Sequence, residues 1–187
     1  MCGICGEFSL QGGTANEAGV RSMADAISYR GPDDRGFHVS GPIGLGHLRL
    51  SIIDTSSRGH QPMWTRDRTM AVTYNGEIYN FAEIMRELEA LGYQFESNCD
   101  TEVVVNAVHA WGAEAAVGRF IGMFAFAIWD SRKSELTLVR DRAGIKPLFY
   151  YKDENVLLFG SEVRAILAHP AFRKEIDPRG IGQFFVT

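Results

Sequence analysis

Cys2 is the residue whose position points most directly to chemistry. An initiator methionine is generally removed when the second residue is small, so a mature chain would begin with Cys2 and its free α-amine. An α-amine has an ordinary pKa of about 7.7–8.0, which lets it accept the thiol proton near neutral pH without a separate histidine. The alternative is a small buried cysteine at the start of a strand, and position alone favours that alternative.

The pair Asn75-Gly76 follows a predicted strand and has two interpretations. Asn-Gly is typical of a type I′ turn in a β-hairpin. The same pair supplies a side-chain amide and a glycine N–H, which form an oxyanion hole when both donors point at one atom. Residues 77–80 lead into a helix rather than a second alternating strand, which weakens the hairpin interpretation without removing it.

Arg49 and Asp100 each have a structural and a binding interpretation. Asp100 precedes a predicted helix, where an N-cap is its default role. Arg49 lies in a predicted strand, where a lone arginine usually faces solvent, although in a cleft it would clamp a carboxylate. The turn at residues 30–34 suggests salt bridges, and the five histidines show no metal-ligand spacing.

The three cysteines, Cys2, Cys5 and Cys99, cannot close a disulfide framework, and an odd number fits a reducing compartment. Cys2 and Cys5 have the C-x-x-C spacing, but no second pair follows that would complete a zinc site. The motif also lies at the chain start rather than between a strand and a helix. We therefore expect no metal in this chain, and dithiol redox chemistry is disfavoured.

The composition is that of an ordinary globular chain of one domain, or at most two small ones, with 187 residues, 45% of them hydrophobic, and a net charge of −4. No run of lysine or arginine forms the basic stripe that nucleic-acid binding requires. The longest apolar stretch, residues 120–129, is about half the length of a membrane helix. We expect a cytoplasmic protein that binds neither nucleic acid nor membrane.

Hydrophobic periodicity and turn residues predict strands, then helices, then strands again. The predicted strands are residues 2–10, 36–40, 43–53, 69–74, 122–129, 136–140, 148–151 and 156–159. Helices are predicted to begin at Asn16, Asn80 and Asp100, with a short one near Ser161. Residues 123–129 are apolar on both faces, as in a strand buried between layers. Two packed sheets with helices outside satisfy this order, and so does a single mixed sheet.

Several motifs follow one another along the chain: Met1-Cys2-Gly3-Ile4-Cys5-Gly6, Arg30-Gly31-Pro32-Asp33-Asp34, residues 46–54, residues 59–63, Asn75-Gly76-Glu77-Ile78-Tyr79-Asn80, Asp100-Thr101-Glu102, residues 122–126 and residues 140–148. In this order they resemble class II glutamine amidotransferase domains, from Met1 to about Leu167. Within that class they are most similar to the glutaminase domain of glutamine-dependent asparagine synthetases.

This resemblance implies an N-terminal-nucleophile hydrolase fold, which is an α+β, four-layer αββα sandwich of two mostly antiparallel sheets. It also implies that L-glutamine is hydrolysed to glutamate and ammonia. By similarity, Cys2 is the nucleophile and its own amine is the general base. Asn75 and the Gly76 N–H hold the oxyanion.

The resemblance further implies how glutamine is bound. Arg49 pairs with the α-carboxylate, Asp100 with Glu77 takes the α-ammonium, and the backbone near Ile53 completes the pocket. Asn75 and Gly76 belong to this binding set as well as to the catalytic one.

Residues 1–187 would then form a single glutaminase domain without a cofactor. ATP and magnesium would belong to a synthetase domain, in the same or a separate chain, that receives the ammonia. A homodimer is a further expectation. The alternative is a catalytically silent module that docks on a synthetase partner or regulates it.

Overall fold

The computed structural model describes residues 1–51 and 56–175, which fold into two sheets and five helices. The strands are β1 (Gly3–Ser9), β2 (Asp34–Ser40), β3 (Ile43–Arg49), β4 (Met63–Trp64), β5 (Met70–Ile78), β6 (Gly122–Asp130), β7 (Glu135–Arg140), β8 (Phe149–Lys152) and β9 (Val156–Gly160). The helices are α1 (Glu17–Ala26), α2 (Phe81–Ala90), α3 (Asp100–Trp111), α4 (Ala113–Arg119) and α5 (Val163–Leu167). Within these residues, no helix is long and apolar enough to span a bilayer.

The two sheets are antiparallel throughout. One has the strand order β2-β3-β1-β9-β8 and the other the order β4-β5-β6-β7. Residues from both sheets share one apolar core, in which Ile43, Leu45 and Phe159 meet Ala71, Ala127 and Trp129. Burial of these side chains between the sheets is what holds the two layers face to face.

The helices cover the outer faces of the two sheets. Helices α1 and α5 pack on the five-stranded sheet, with Met23, Ile27 and Ile166 buried there. Helices α2, α3 and α4 pack on the four-stranded sheet, and a row of buried valines in α3 lies at the centre of that core. The layer order is therefore αββα, which confirms the expected sandwich and excludes the single mixed sheet.

Three local expectations were wrong. The strand expected over residues 43–53 ends at Arg49, and residues 52 and 53 of that prediction lie outside the described part of the chain. The strand expected over residues 69–74 continues to Ile78, because β6 pairs with it along its full length. Asn75-Gly76 therefore lies within a strand and is not a hairpin turn. A Cβ at Gly76 would lie 2.5 Å from the Met123 carbonyl oxygen, so this close strand pairing itself requires glycine. Asp100 is the first residue of α3, and Cys99 occupies the N-cap position.

His47 joins the two sheets directly beneath the strand that carries Asn75. Its Nε2 donates to the Tyr74 carbonyl oxygen at 3.1 Å, from β3 to β5, while Nδ1 is buried without a partner among the described residues. Burial lowers the pKa of His47 from 6.5 to about 3, so the imidazole is neutral in the folded protein near neutral pH.

We expect His47 to make the folded protein sensitive to acid. Its pKa is lower in the folded state than the 6.5 of an unperturbed histidine, so the unfolded state binds the extra proton between pH 6.5 and about 3. Stability from this group is therefore complete above pH 6.5 and falls with pH, by about 5 kcal/mol at most. The His47→Gln variant keeps an N–H donor but cannot titrate, so its unfolding free energy in urea should fall less steeply below pH 6.5. Equal slopes in both proteins would contradict this assignment.

Candidate active site

A cavity of about 590 Å³ opens between the two sheets at the end where β1 begins and β3 ends, a size typical of small-molecule sites. It is lined by residues from both sheets, from α3 and from the connecting loops: Met1, Cys2, Arg49, Leu50, Ser51, Gly59, Gln61, Tyr74, Asn75, Gly76, Glu77, Cys99, Asp100, Thr101, Met123, Ile145 and Lys146. Every site residue expected from the sequence lies on this wall except Ile53, which is outside the described residues. The described part of the chain holds no group of three or more His, Cys, Asp or Glu side chains that would bind a metal ion.

Cys2 is held at the mouth of this cavity by contacts to its backbone and its sulfur. The Arg30 guanidinium donates from Nε to the Cys2 carbonyl oxygen at 3.0 Å, and the same arginine pairs with Glu162 at 2.8 Å. The Cys2 sulfur lies 3.4 Å from the Leu50 nitrogen, which donates to it, and 3.6 Å from the Leu50 carbonyl oxygen. These contacts hold the sulfur of a residue that lines the cavity.

Cys5 is in a different environment. It is fully buried, its sulfur lies 3.9 Å from the Val20 carbonyl oxygen, and burial raises its pKa to about 12. A thiol with that pKa stays protonated at neutral pH and is a poor partner for disulfide exchange. The structure therefore disfavours the C-x-x-C redox interpretation.

Asn75 and Gly76 lie side by side on β5 and face the cavity. The Asn75 side chain is 2% exposed, and its Nδ2 has no hydrogen-bond partner among the described residues. Alternate residues of a strand direct their N–H groups to the same edge. The Tyr74 N–H donates to Gln61 at 2.7 Å and the Ile78 N–H donates to Asp100 at 3.0 Å, so the Gly76 N–H faces the edge between them. A buried amide donor without a partner is costly and indicates a site for an incoming acceptor.

Asp100 presents a buried carboxylate to the same cavity. Its Oδ2 accepts hydrogen bonds from the Tyr74 hydroxyl at 2.6 Å and from the Ile78 N–H. Burial raises the pKa of Asp100, although these donors oppose the shift. Burial and the neighbouring carboxylate raise the pKa of Tyr74 well above 10, so its hydroxyl remains a donor. Glu77 lies nearby, half-buried on the cavity wall. Together the two carboxylates suit a ligand that carries an ammonium group.

Arg49 is buried on the cavity wall, so of the two interpretations that the sequence left open the structure favours the cleft over the solvated face. Its Nη1 donates to the Ser56 carbonyl oxygen at 2.7 Å. A Cβ at Gly59 would lie 2.0 Å from Nη2, so a glycine is needed where the loop crosses the guanidinium. The same guanidinium lines the cavity, as a carboxylate clamp requires.

Two residues that sequence reasoning did not assign also shape the cavity. Gln61 accepts the Tyr74 N–H and donates to the Thr101 hydroxyl at 3.3 Å, which ties β5 to α3 beside Asn75. Lys146 lies on the wall near Met1. Both lie in motifs that carry the family resemblance, residues 59–63 and 140–148, but the composition of these motifs does not indicate any chemistry.

Comparisons with known proteins agree with this geometry. A family model described as a glutamine amidotransferase domain matches residues 1–187. Asparagine synthetase [glutamine-hydrolyzing] 3 of Bacillus subtilis is 40% identical over 188 residues, which is 99% of this chain and 30% of that protein. Asparagine synthetase [glutamine-hydrolyzing] 2 of the same organism is 42% identical over 173 residues, which is 91% of this chain and 23% of that protein. The chain thus spans less than a third of these relatives.

Among solved structures, the glutamine phosphoribosylpyrophosphate amidotransferase of B. subtilis, complexed with ADP and GMP, superposes with a TM-score of 0.75. The match has 20% sequence identity and covers 89% of this chain and 43% of that one. At this identity the likeness concerns the fold alone. Because the family model matches all of its residues, the chain belongs to the glutamine amidotransferase domain family.

Proposed function

We propose that this chain hydrolyses L-glutamine to glutamate and ammonia, with Cys2 as the nucleophile after Met1 is removed. The observation that carries the proposal is that Cys2 and Asn75 line one cavity, and that the buried Asn75 amide nitrogen has no hydrogen-bond partner among the described residues. A nucleophile opposite an oxyanion donor is the arrangement that acyl transfer needs.

In the proposed reaction the Cys2 α-amine accepts the thiol proton as the sulfur attacks the side-chain amide carbon of glutamine. The oxygen of the resulting tetrahedral intermediate is stabilised by the Asn75 amide and the Gly76 N–H. The amine then gives its proton to the departing nitrogen, which leaves as ammonia and generates a γ-glutamyl thioester. Water attacks that thioester, releasing glutamate and restoring the thiol.

The rest of the cavity supplies recognition of an α-amino acid. The Arg49 guanidinium would bind the α-carboxylate, and Asp100 with Glu77 would bind the α-ammonium. An ammonium beside Asp100 compensates the buried carboxylate. The backbone at Ile53 remains part of the proposed pocket.

Replacing Arg49 by methionine should raise KM for glutamine about ten- to a hundredfold, the equivalent of about 1.5–3 kcal/mol, while kcat changes little. The reason is that Arg49 would hold a group remote from the reacting carbon. Arg49→Lys keeps the charge without the bidentate geometry, so its KM for glutamine should lie between those of the wild type and Arg49→Met. Arg58, exposed and outside the cavity lining, provides the matched control Arg58→Met. A fall in kcat at unchanged KM in Arg49→Met would contradict this role.

We further propose that residues 1–187 form one glutaminase domain that supplies ammonia to an ATP-dependent synthetase domain of the asparagine synthetase type. The names of the B. subtilis relatives and the share of their length that this chain matches support that proposal. We place ATP and magnesium in the synthetase part and no cofactor in this one. Cytoplasmic location and a homodimer belong to the same proposal.

The test is release of glutamate and ammonia from glutamine by a sample whose mass confirms loss of Met1. Equimolar release of both products is the expected result. A mature, folded chain that binds glutamine but releases neither product, even with its synthetase partner present, would support the silent docking module instead.

A further inference from the structure

Lys146 is a buried cation whose partner depends on Met1. The residue is 6% exposed on the cavity wall, and its ammonium lies 3.4 Å from the Met1 sulfur. Within residues 1–51 and 56–175, that thioether is its one polar side-chain contact. An ammonium in such a place is costly unless something compensates it, so its retention beside the nucleophile calls for a physical reason.

The backbone of Lys146 is fixed from both sides. Its N–H donates to the Asp141 carboxylate at 2.8 Å, and its carbonyl oxygen accepts from the Arg140 guanidinium at 2.8 Å. The Asp141 carboxylate also accepts the Phe124 N–H, and Phe124 pairs with Gly76. Although burial opposes the charge, these backbone donors hold the pKa of Asp141 below its ordinary value. Lys146 is thereby anchored to the strand pair that carries the proposed oxyanion site.

Loss of Met1 changes what the ammonium faces. The Met1 sulfur is five covalent bonds from the Cys2 nitrogen, so the Lys146 ammonium and that nitrogen are at most about 10 Å apart. In the mature chain this nitrogen is the α-amine that the proposed reaction uses as its base. A nearby positive charge disfavours protonation of an amine and thus keeps it able to accept a proton.

The other charged and titratable groups around the cavity have contacts or positions of their own, apart from Lys146. Arg30 contacts the Cys2 carbonyl oxygen, and Arg49 is held by the Ser56 carbonyl oxygen. The remaining groups lie on β5 and at the start of α3: Tyr74, Glu77, Cys99 and Asp100. Bound glutamine would place its ammonium between the two carboxylates, which offsets one of their two charges, and its carboxylate on Arg49. Arg30 is paired with Glu162 at 2.8 Å, so Lys146 supplies the positive charge that acts on the amine.

We propose that Lys146 is a positioning residue that keeps the α-amine of mature Cys2 in its uncharged, proton-accepting form at neutral pH. This inference rests on the proposed glutaminase function. At an effective dielectric constant of about 20 and the greatest separation of about 10 Å, one positive charge moves the protonation of the amine by about one pH unit.

The first experiment measures kcat/KM for glutamate release against pH in the mature protein. Lys146→Met should move the acid limb upward by about one pH unit, with rates that approach the wild-type value on the alkaline side. Lys146→Arg keeps the charge and should restore the wild-type limb. Lys152→Met, an exposed lysine on β8, should leave the profile unchanged. A uniform loss of rate at every pH in Lys146→Met, or failure of arginine to rescue, would overturn the proposal.

A second measurement separates this proposal from the glutaminase function itself. Cyanate reacts with the unprotonated amine, so its labelling of the N-terminal peptide against pH reports protonation without turnover. In a Cys2→Ser background, which removes the competing thiol, adding Lys146→Met should shift half-maximal labelling upward by about one pH unit. No shift would overturn the role of Lys146, whether or not glutamine is hydrolysed. That shift, together with no glutamate release from mature protein that keeps Cys2, would overturn the glutaminase function alone.

Discussion

A mature chain with alanine in place of Cys2 should lose glutamate release by at least about a thousandfold, while remaining folded. The loss is this large because alanine removes the atom that forms the thioester, and no other thiol on the cavity wall has the same access. Cys99 also lines the cavity, but it is buried, and burial raises the pKa of its thiol. The hydrogen bond between the Cys99 thiol and the Thr101 hydroxyl lowers that pKa, but by less than burial raises it.

Cys2→Ala should be nearly neutral for stability because, among the residues that the structure describes, the Cys2 sulfur makes only long contacts with the Leu50 backbone. The matched control is Cys5→Ser, which changes the other cysteine of the C-x-x-C motif. That variant should lose stability, because a hydroxyl replaces a fully buried thiol, yet retain turnover per folded molecule. Equal loss of turnover in both variants would favour a dithiol mechanism over a single nucleophile.

Replacing Asn75 by alanine should lower kcat about a hundredfold to a thousandfold, because one oxyanion donor is worth about 3–4 kcal/mol in the barrier. KM for glutamine should change little, since the donor acts mainly on the oxygen of the tetrahedral intermediate. The free energy of unfolding should rise rather than fall, which is unusual when a buried polar side chain is shortened. Nδ2 of Asn75 has no partner among the described residues, so its removal leaves no new unsatisfied donor.

Thr73→Val is the matched control on the same strand. Thr73 is buried and donates to the Gly46 carbonyl oxygen at 3.2 Å, across the two sheets. Its removal should cost about 1 kcal/mol of unfolding free energy with kcat unchanged. Steady-state kinetics and urea unfolding on both variants separate the two effects. A near-normal kcat in Asn75→Ala would rule out the oxyanion assignment.

Local patterns predicted much of the secondary structure, because local forces determine those elements. Asn16 caps α1 as expected, accepting the Gly19 N–H at 3.0 Å, and β6 is buried as its two apolar faces indicated. Two elements were missed. Strand β4 has only two residues and therefore no periodicity, and α4 begins directly after Gly112, whose positive φ of 80° ends α3.

The site was much less accessible to reasoning from single residues. Asn75-Gly76 has the composition of a turn, and only pairing with β6 shows that it is a strand. For Arg49 the strand pattern left a solvated face and a cleft both open, and only the folded chain shows that it is buried, with the loop at Gly59 against its guanidinium. The contact between Cys2 and Leu50 joins residues 48 positions apart, which no local pattern encodes. The ordered set of motifs, through its likeness to a family, supplied the grouping that physical reasoning could not.

The most direct test of Cys2 chemistry is to trap the covalent intermediate. Mature protein is mixed with glutamine, quenched in acid within one turnover and digested, and the N-terminal peptide is weighed by mass spectrometry. We expect a glutamyl adduct on Cys2 in a peptide that lacks Met1, accumulating with the release of ammonia and absent from Cys2→Ala. Steady glutamate release with no adduct at Cys2, and with the same rate in Cys2→Ala, would contradict the proposed function.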